Sequence, residues 1–147
     1  MKNAFEDPQT IDVKTRLACE HTVVSFMAHF DQREFEAMEA YLDPDGTWLR
    51  ADGAVNGIAG LRELGKAAPA DVRVRHVLSN FRMTQRDAAH VTVRSYVTVY
   101  REQFTCDASP ACFSGPHLVG RYTDELVLTD GAWKIAHKTV IRDFVRD

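Results

Sequence analysis

The chain has 147 residues, a formal net charge of −3, and 45% hydrophobic, 27% charged and 10% aromatic residues. These values argue against disorder, suit one core rather than two, and lack the basic excess of a nucleic-acid surface. No apolar run approaches the roughly 18 residues that span a bilayer, and three cysteines without a signal-peptide pattern point to free thiols in a cytoplasmic protein.

The whole of 1–147 is expected to form a single domain, with 1–9 a loose arm. Helical periodicity starts near Asp12, with Val13, Leu17, Val24 and Met27 or Ala28 on one stripe. Asp31 continues that stripe and aims a carboxylate inward. Asp31 and Glu34 also fit a capping box for a second helix that carries Phe35, Met38 and Tyr41 or Leu42. Asp43-Pro44-Asp45-Gly46 breaks that helix. A short strand at Thr47–Arg50, a turn at Ala51-Asp52-Gly53 and a brief return strand follow. Gly57 opens a third helix bearing Ile58, Leu61 and Leu64, and Pro69 closes it.

Beyond Pro69 the period changes from helical to alternating. Four strands are expected at Val72–Gln85, Ala89–Arg101, His117–Thr129 and Trp133–Val145, with tight turns at Arg86-Asp87 and Asp130-Gly131. Short links imply antiparallel neighbours. Helices followed by a meander describe an α+β fold, in which a cone-like curved antiparallel sheet wraps the N-terminal helices around a pocket. Arg73, Arg75, Arg82, Arg86 and Arg94 interleave with apolar residues and read as a solvated outer face.

On the first long strand, Val72, Val74, His76, Leu78 and Asn80 share one parity, which puts His76 and Asn80 on an apolar face. A carboxylate bonded to one imidazole nitrogen fixes the tautomer and leaves the other nitrogen as a general base. Asp31 and His76 are therefore a candidate dyad. A core histidine and a helix cap are the structural alternatives. Arg142 is suited either to stabilising an anion in the pocket or to pairing with Asp143 or Asp147 on the surface. His137 cannot be assigned a face. Trp48, Tyr96, Tyr100 and Tyr122 are candidates to line the pocket, or simply to fill the core. Cys106, Cys112 and His117 flank one loop but match no common zinc spacing, and no metal site is expected. That loop, from Glu102 to Pro116, could also cover the pocket. Cys19 has no evident activating partner. There is no phosphate loop and no Gly-x-Ser-x-Gly elbow, which leaves cofactor-free acid–base chemistry.

Several segments, taken in order, resemble the SnoaL-like group of the nuclear transport factor 2-like superfamily. They are Phe30-Asp31-Gln32-Arg33, Asp45-Gly46-Thr47-Trp48, Gly57, His76-Val77-Leu78-Ser79-Asn80, Gly120-Arg121-Tyr122-Thr123-Asp124 and Asp130 to Ile135. The group takes in polyketide cyclases, scytalone dehydratase, bile acid dehydratase and lindane dehydrochlorinase. The resemblance implies a deep pocket, no cofactor, a homo-oligomer (dimer or trimer), and a base dyad at His76 and Asp31. It also implies a leaving-group role for Arg142. Phe26 stands where these enzymes tend to carry a polar residue. The expected function is thus a lyase or isomerase acting by dehydratase-like elimination on a hydrophobic, cyclic small molecule, with Asn80, Trp48, Phe26, Tyr96 and Tyr122 in the substrate pocket. A polyketide cyclase and a non-catalytic binding or oligomerising module of the same fold are the alternatives.

Overall fold

The computed structural model describes residues 11–104 and 110–147. The expected arm at 1–9 and Cys106 lie outside them. Asp12 caps the first helix, its carboxylate accepting the Thr15 N–H at 2.9 Å and the Thr15 hydroxyl at 2.6 Å. Helix α1 (Val13–Gln32) ends at Arg33, a left-handed residue whose N–H reaches the His29 and Phe30 carbonyls. Its buried face carries Cys19, Val23, Phe26 and Met27, whereas Val13, Leu17 and Val24 are exposed. The helix is apolar on more than one side, so periodicity alone admits more than one phase. The sheet takes the face with the larger payload, Phe26 and Met27.

No second α-helix follows. The chain makes one 3₁₀ turn (Ala37–Tyr41) that buries Met38, then enters strand β1 (Leu42–Arg50). The expected capping box is absent. Glu36 precedes the turn without a side-chain cap, and Glu34 bonds the His29 ring at 2.6 Å. With β1 starting at Leu42, there is no length for a full α-helix. Strand β2 (Gly53–Asn56) leads into α2 (Gly57–Ala67), which buries Leu61. Gly57 has φ +62°, and a Cβ there would lie 2.7 Å from the Pro44 carbonyl oxygen, so glycine alone fits this corner.

Strands β3 (Val72–Asp87), β4 (His90–Gln103), β5 (Leu118–Thr129) and β6 (Ala132–Val145) form the expected meander. The sheet order is β2-β1-β6-β5-β4-β3. All pairs are antiparallel except β1–β6, which run parallel with Thr47 beside His137 and Leu49 beside Thr139. The sheet is therefore mixed, not purely antiparallel, because β6 returns alongside β1 only after the chain has crossed α2 and the meander. The α+β architecture is otherwise as expected: two helices against one curved six-stranded sheet. Arg75, Arg82, Arg86 and Arg94 are exposed along β3 and β4.

The core has two parts. One gathers Phe26, Met27, Met38, Trp48, Leu61, Val97, Tyr122 and Ile135, and the other gathers Cys19, Val23, Val91, Val93 and Leu126. Burial, reinforced by Asp12, pushes the Cys19 thiol up to about 12, which makes it inert. Between β5 and β6 lies a fully buried ion pair, Lys138 Nζ to Asp124 Oδ1 at 2.9 Å and Oδ2 at 3.1 Å. The Lys138 ammonium also sits 3.6 Å from the Tyr122 ring centroid. Among the described residues no helix is long and apolar enough to cross a membrane.

Candidate active site

The carboxylate of Asp31 stands in the last turn of α1, where the helix dipole disfavours negative charge. Something must compensate, and β3 supplies it. Asp31 Oδ2 accepts the backbone N–H of His76 at 2.7 Å, and Oδ1 is 2.6 Å from His76 Nδ1. Both side chains are less than a tenth exposed. A carboxylate accepting in this position requires the proton on Nδ1, so the Nε2 lone pair is left free. The edge of Phe30 packs on the imidazole, with centroids 5.5 Å apart, and Phe30 also meets Phe35 and Trp48. These rings limit how the histidine can turn.

Asp31 and His76 line a cavity of about 550 Å³ between α1, α2 and the concave face of the sheet. Its depth is apolar, with Phe30, Phe35, Trp48, Val74, Val99 and Val140. Tyr122 joins them from β5. Burial, reinforced by Asp124 and Asp31, holds its phenol well above the ordinary tyrosine range, so it stays protonated. Its hydroxyl bonds to no other described residue, which leaves a hydrogen-bond donor beside the dyad. Arg142 lines the cavity too, near its mouth. Asp143, its expected surface partner, pairs instead with Arg121 through two contacts of 2.9 Å.

Of the residues singled out by sequence, the fold brings together Asp31, His76, Trp48, Tyr122 and Arg142. Phe26 does not reach the cavity. It is fully buried beneath Trp48, with ring centroids 5.4 Å apart. Asn80 also lies away from it, because β3 bulges between Ser79 and Arg82 with Asn80 at φ 54°. That extra residue reverses the facing, so Asn80 is exposed and Phe81 turns to the core. Tyr96 is 48% exposed on the outer face, opposite the parity of Val93, Val97 and Val99. Tyr100 packs on Phe113. His137 is hydrogen-bonded to the Thr47 hydroxyl. Among the described residues no group of three metal-ligating side chains is present.

Arg50 and Arg101, which the sequence pattern does not single out, and His117, weighed there only as a metal ligand, also line the cavity. Each stands at a strand end, where a cation reads as a solvated terminus. Burial, helped by Arg101 and Arg146, lowers the His117 value below the ordinary histidine range.

Residues 12–139 match the family model of the SnoaL-like domain. Among solved structures, the chain is 18% identical to the LinA-type3 hexachlorocyclohexane dehydrochlorinase of Novosphingobium barchaimii LL02, with 90% of this chain and 89% of that one covered and a TM-score of 0.74. A candidate scytalone dehydratase from Novosphingobium aromaticivorans DSM 12444 is 19% identical over 90% and 86% of the two chains, with a TM-score of 0.74. A candidate aromatic ring hydroxylase from Novosphingobium aromaticivorans DSM is 21% identical over 91% and 92%, with a TM-score of 0.75. No protein of curated function matches the sequence.

Proposed function

The chain belongs to the SnoaL-like domain family of the nuclear transport factor 2-like superfamily, and from that membership we propose that it is a cofactor-free lyase acting by elimination on a small cyclic molecule. The observation that carries this reading is the double contact of Asp31 on His76, at 2.7 and 2.6 Å. It leaves Nε2 free on a histidine that lines an apolar cavity large enough for one or two rings. Two structural neighbours are named for eliminations, a dehydrochlorinase and a candidate dehydratase, which supports the same class of chemistry.

The step follows from the residues. His76 Nε2 takes a proton from an activated carbon, and the C–H electron pair becomes the new C=C bond. The hydroxide or halide on the neighbouring carbon leaves with its bonding pair. Asp31 stabilises the imidazolium that forms. Tyr122, kept protonated, donates a hydrogen bond to the departing group, and Arg142 offsets its developing charge. The same base could return the proton at another carbon, which would make the enzyme an isomerase. A polyketide cyclase would use the same base on a different substrate.

The test is turnover of ring compounds bearing a hydroxyl or halogen β to an acidified C–H. Deuterium at that carbon slows the wild-type reaction, and His76→Ala lowers kcat by about 10²–10⁴-fold. Unchanged turnover in His76→Ala would refute the base assignment. Ligand binding without turnover across the panel would leave a binding module instead.

A further inference from the structure

The mouth of the cavity is cationic in a chain whose net charge is −3. Its wall carries four arginines, Arg33, Arg50, Arg101 and Arg142, against two aspartates, Asp31 and Asp52. Strand register places three of these arginines one or two residues beyond the apolar depth. Leu49 pairs with Thr139, which sets Arg50 beside Val140, and Arg142 follows two residues along β6. On the far side Val99 pairs with Leu118, Arg101 follows Val99 by two, and the His117 N–H donates to the Val99 carbonyl at 2.7 Å.

Two of the four arginines are committed. Arg33 donates to the Pro69 and Ala68 carbonyls at 2.6 and 3.1 Å. Arg50 lies 3.4 Å from Asp52 and over the faces of Phe30 and Trp48. Arg101 and Arg142 have no side-chain hydrogen bond or ion pair among the described residues. Their adjacent carboxylates are engaged elsewhere: Asp143 holds Arg121, and Glu102 holds Arg146 at 2.7 Å. Asp31 is occupied by His76. The nearby His117, depressed by burial and by the charges of Arg101 and Arg146, offers a neutral hydrogen-bonding ring at neutral pH.

We propose that the ligand of this cavity is an amphipathic anion, with an apolar ring body lying toward His76 and a carboxylate held at the mouth by Arg101 and Arg142. The assignment rests on the cavity being the substrate site, and it deepens the elimination reading by naming the substrate class. Guanidinium forks suit a carboxylate, and their field draws an anion toward a protein that otherwise repels it.

The test compares 2-naphthoate with 2-naphthamide, a neutral compound of nearly the same shape, by quenching of tryptophan fluorescence in the full chain. Naphthoate is expected to bind about tenfold more tightly, and added salt weakens naphthoate alone. Arg101→Gln and Arg142→Gln each cost naphthoate about fivefold and leave naphthamide unchanged. His76→Ala keeps the preference, so loss of turnover and loss of anion recognition are read separately. Equal affinity for the two compounds, or naphthoate binding that neither arginine variant weakens, would overturn the proposal. So would failure of naphthoate to bind.

Discussion

Lys138→Met removes one partner of the buried pair and leaves its neighbour stranded. Asp124 and Lys138 are both 0% exposed, joined at 2.9 and 3.1 Å, with the ammonium against the Tyr122 ring. Methionine has a similar length and volume, so little cavity opens, and the cost is electrostatic. A buried carboxylate left without its cation costs about 3–5 kcal/mol, a large part of the roughly 5–15 kcal/mol that holds a domain of this size together. With a urea dependence of about 2 kcal/mol per molar, the unfolding midpoint should fall by about 2 M, read by tryptophan fluorescence. Replacing both partners, Asp124→Val with Lys138→Met, should recover most of the loss, since a well-packed apolar pair carries no desolvation cost.

The pH dependence of the single variant follows in sign. Burial raises the Asp124 carboxyl, and only the Lys138 charge and hydrogen bonds oppose it. Without Lys138, folded Asp124 holds its proton to higher pH than the unfolded chain does. The variant should therefore be most stable below the ordinary carboxylate value of about 4 and lose stability as pH rises through the folded value. A midpoint shift under about 0.5 M, or a double variant no better than the single one, would refute this reasoning.

Two further outcomes follow from the same geometry. Gly120→Ala should destabilise by about 1–3 kcal/mol in chemical denaturation, because the added Cβ would lie 2.3 Å from the Ile141 carbonyl oxygen in the paired strand. His117 should titrate by NMR below the ordinary value of about 6.5, and Arg101→Gln should move its midpoint upward by removing a repelling charge. Because the folded value is depressed, the contribution of His117 to stability is full above about 6.5 and is lost as pH falls through the folded value.

Much of this architecture can be read along the chain, and the failures have definite physical causes. The meander was legible because β3, β4 and β5 alternate and Asp130-Gly131 turns tightly. His76 was legible because it shares parity with Val72 and Val74 ahead of any bulge. Asn80 was not, since a bulge at a positive-φ residue reverses facing without changing composition. The untidy alternation of β6 has the same origin: the register slips between Ile135 and His137, so Ile135 and Lys138 both turn inward. That slip hid Lys138. Its partner did leave a trace, because Asp124 shares the buried parity of Gly120, Tyr122 and Leu126. The phase of α1 was ambiguous because apolar residues occur on several of its sides. Asp31 fits a cap by spacing, yet its own helix runs on to Gln32 and the residues after it form no α-helix to cap. The parallel β1–β6 pairing and the arginines at the mouth depend on contacts between distant segments, which no local pattern encodes.

The dyad is tested most directly by the tautomer of His76, read from the ring nitrogen resonances of ¹⁵N-histidine-labelled protein in alkaline buffer. If Asp31 grips Nδ1 as the 2.6 Å contact requires, the proton resides on Nδ1 and Nε2 is bare. Asp31→Asn should release that preference and populate the Nε2–H form. A wild-type His76 already carrying its proton on Nε2 would contradict the dyad and remove the base from the cavity.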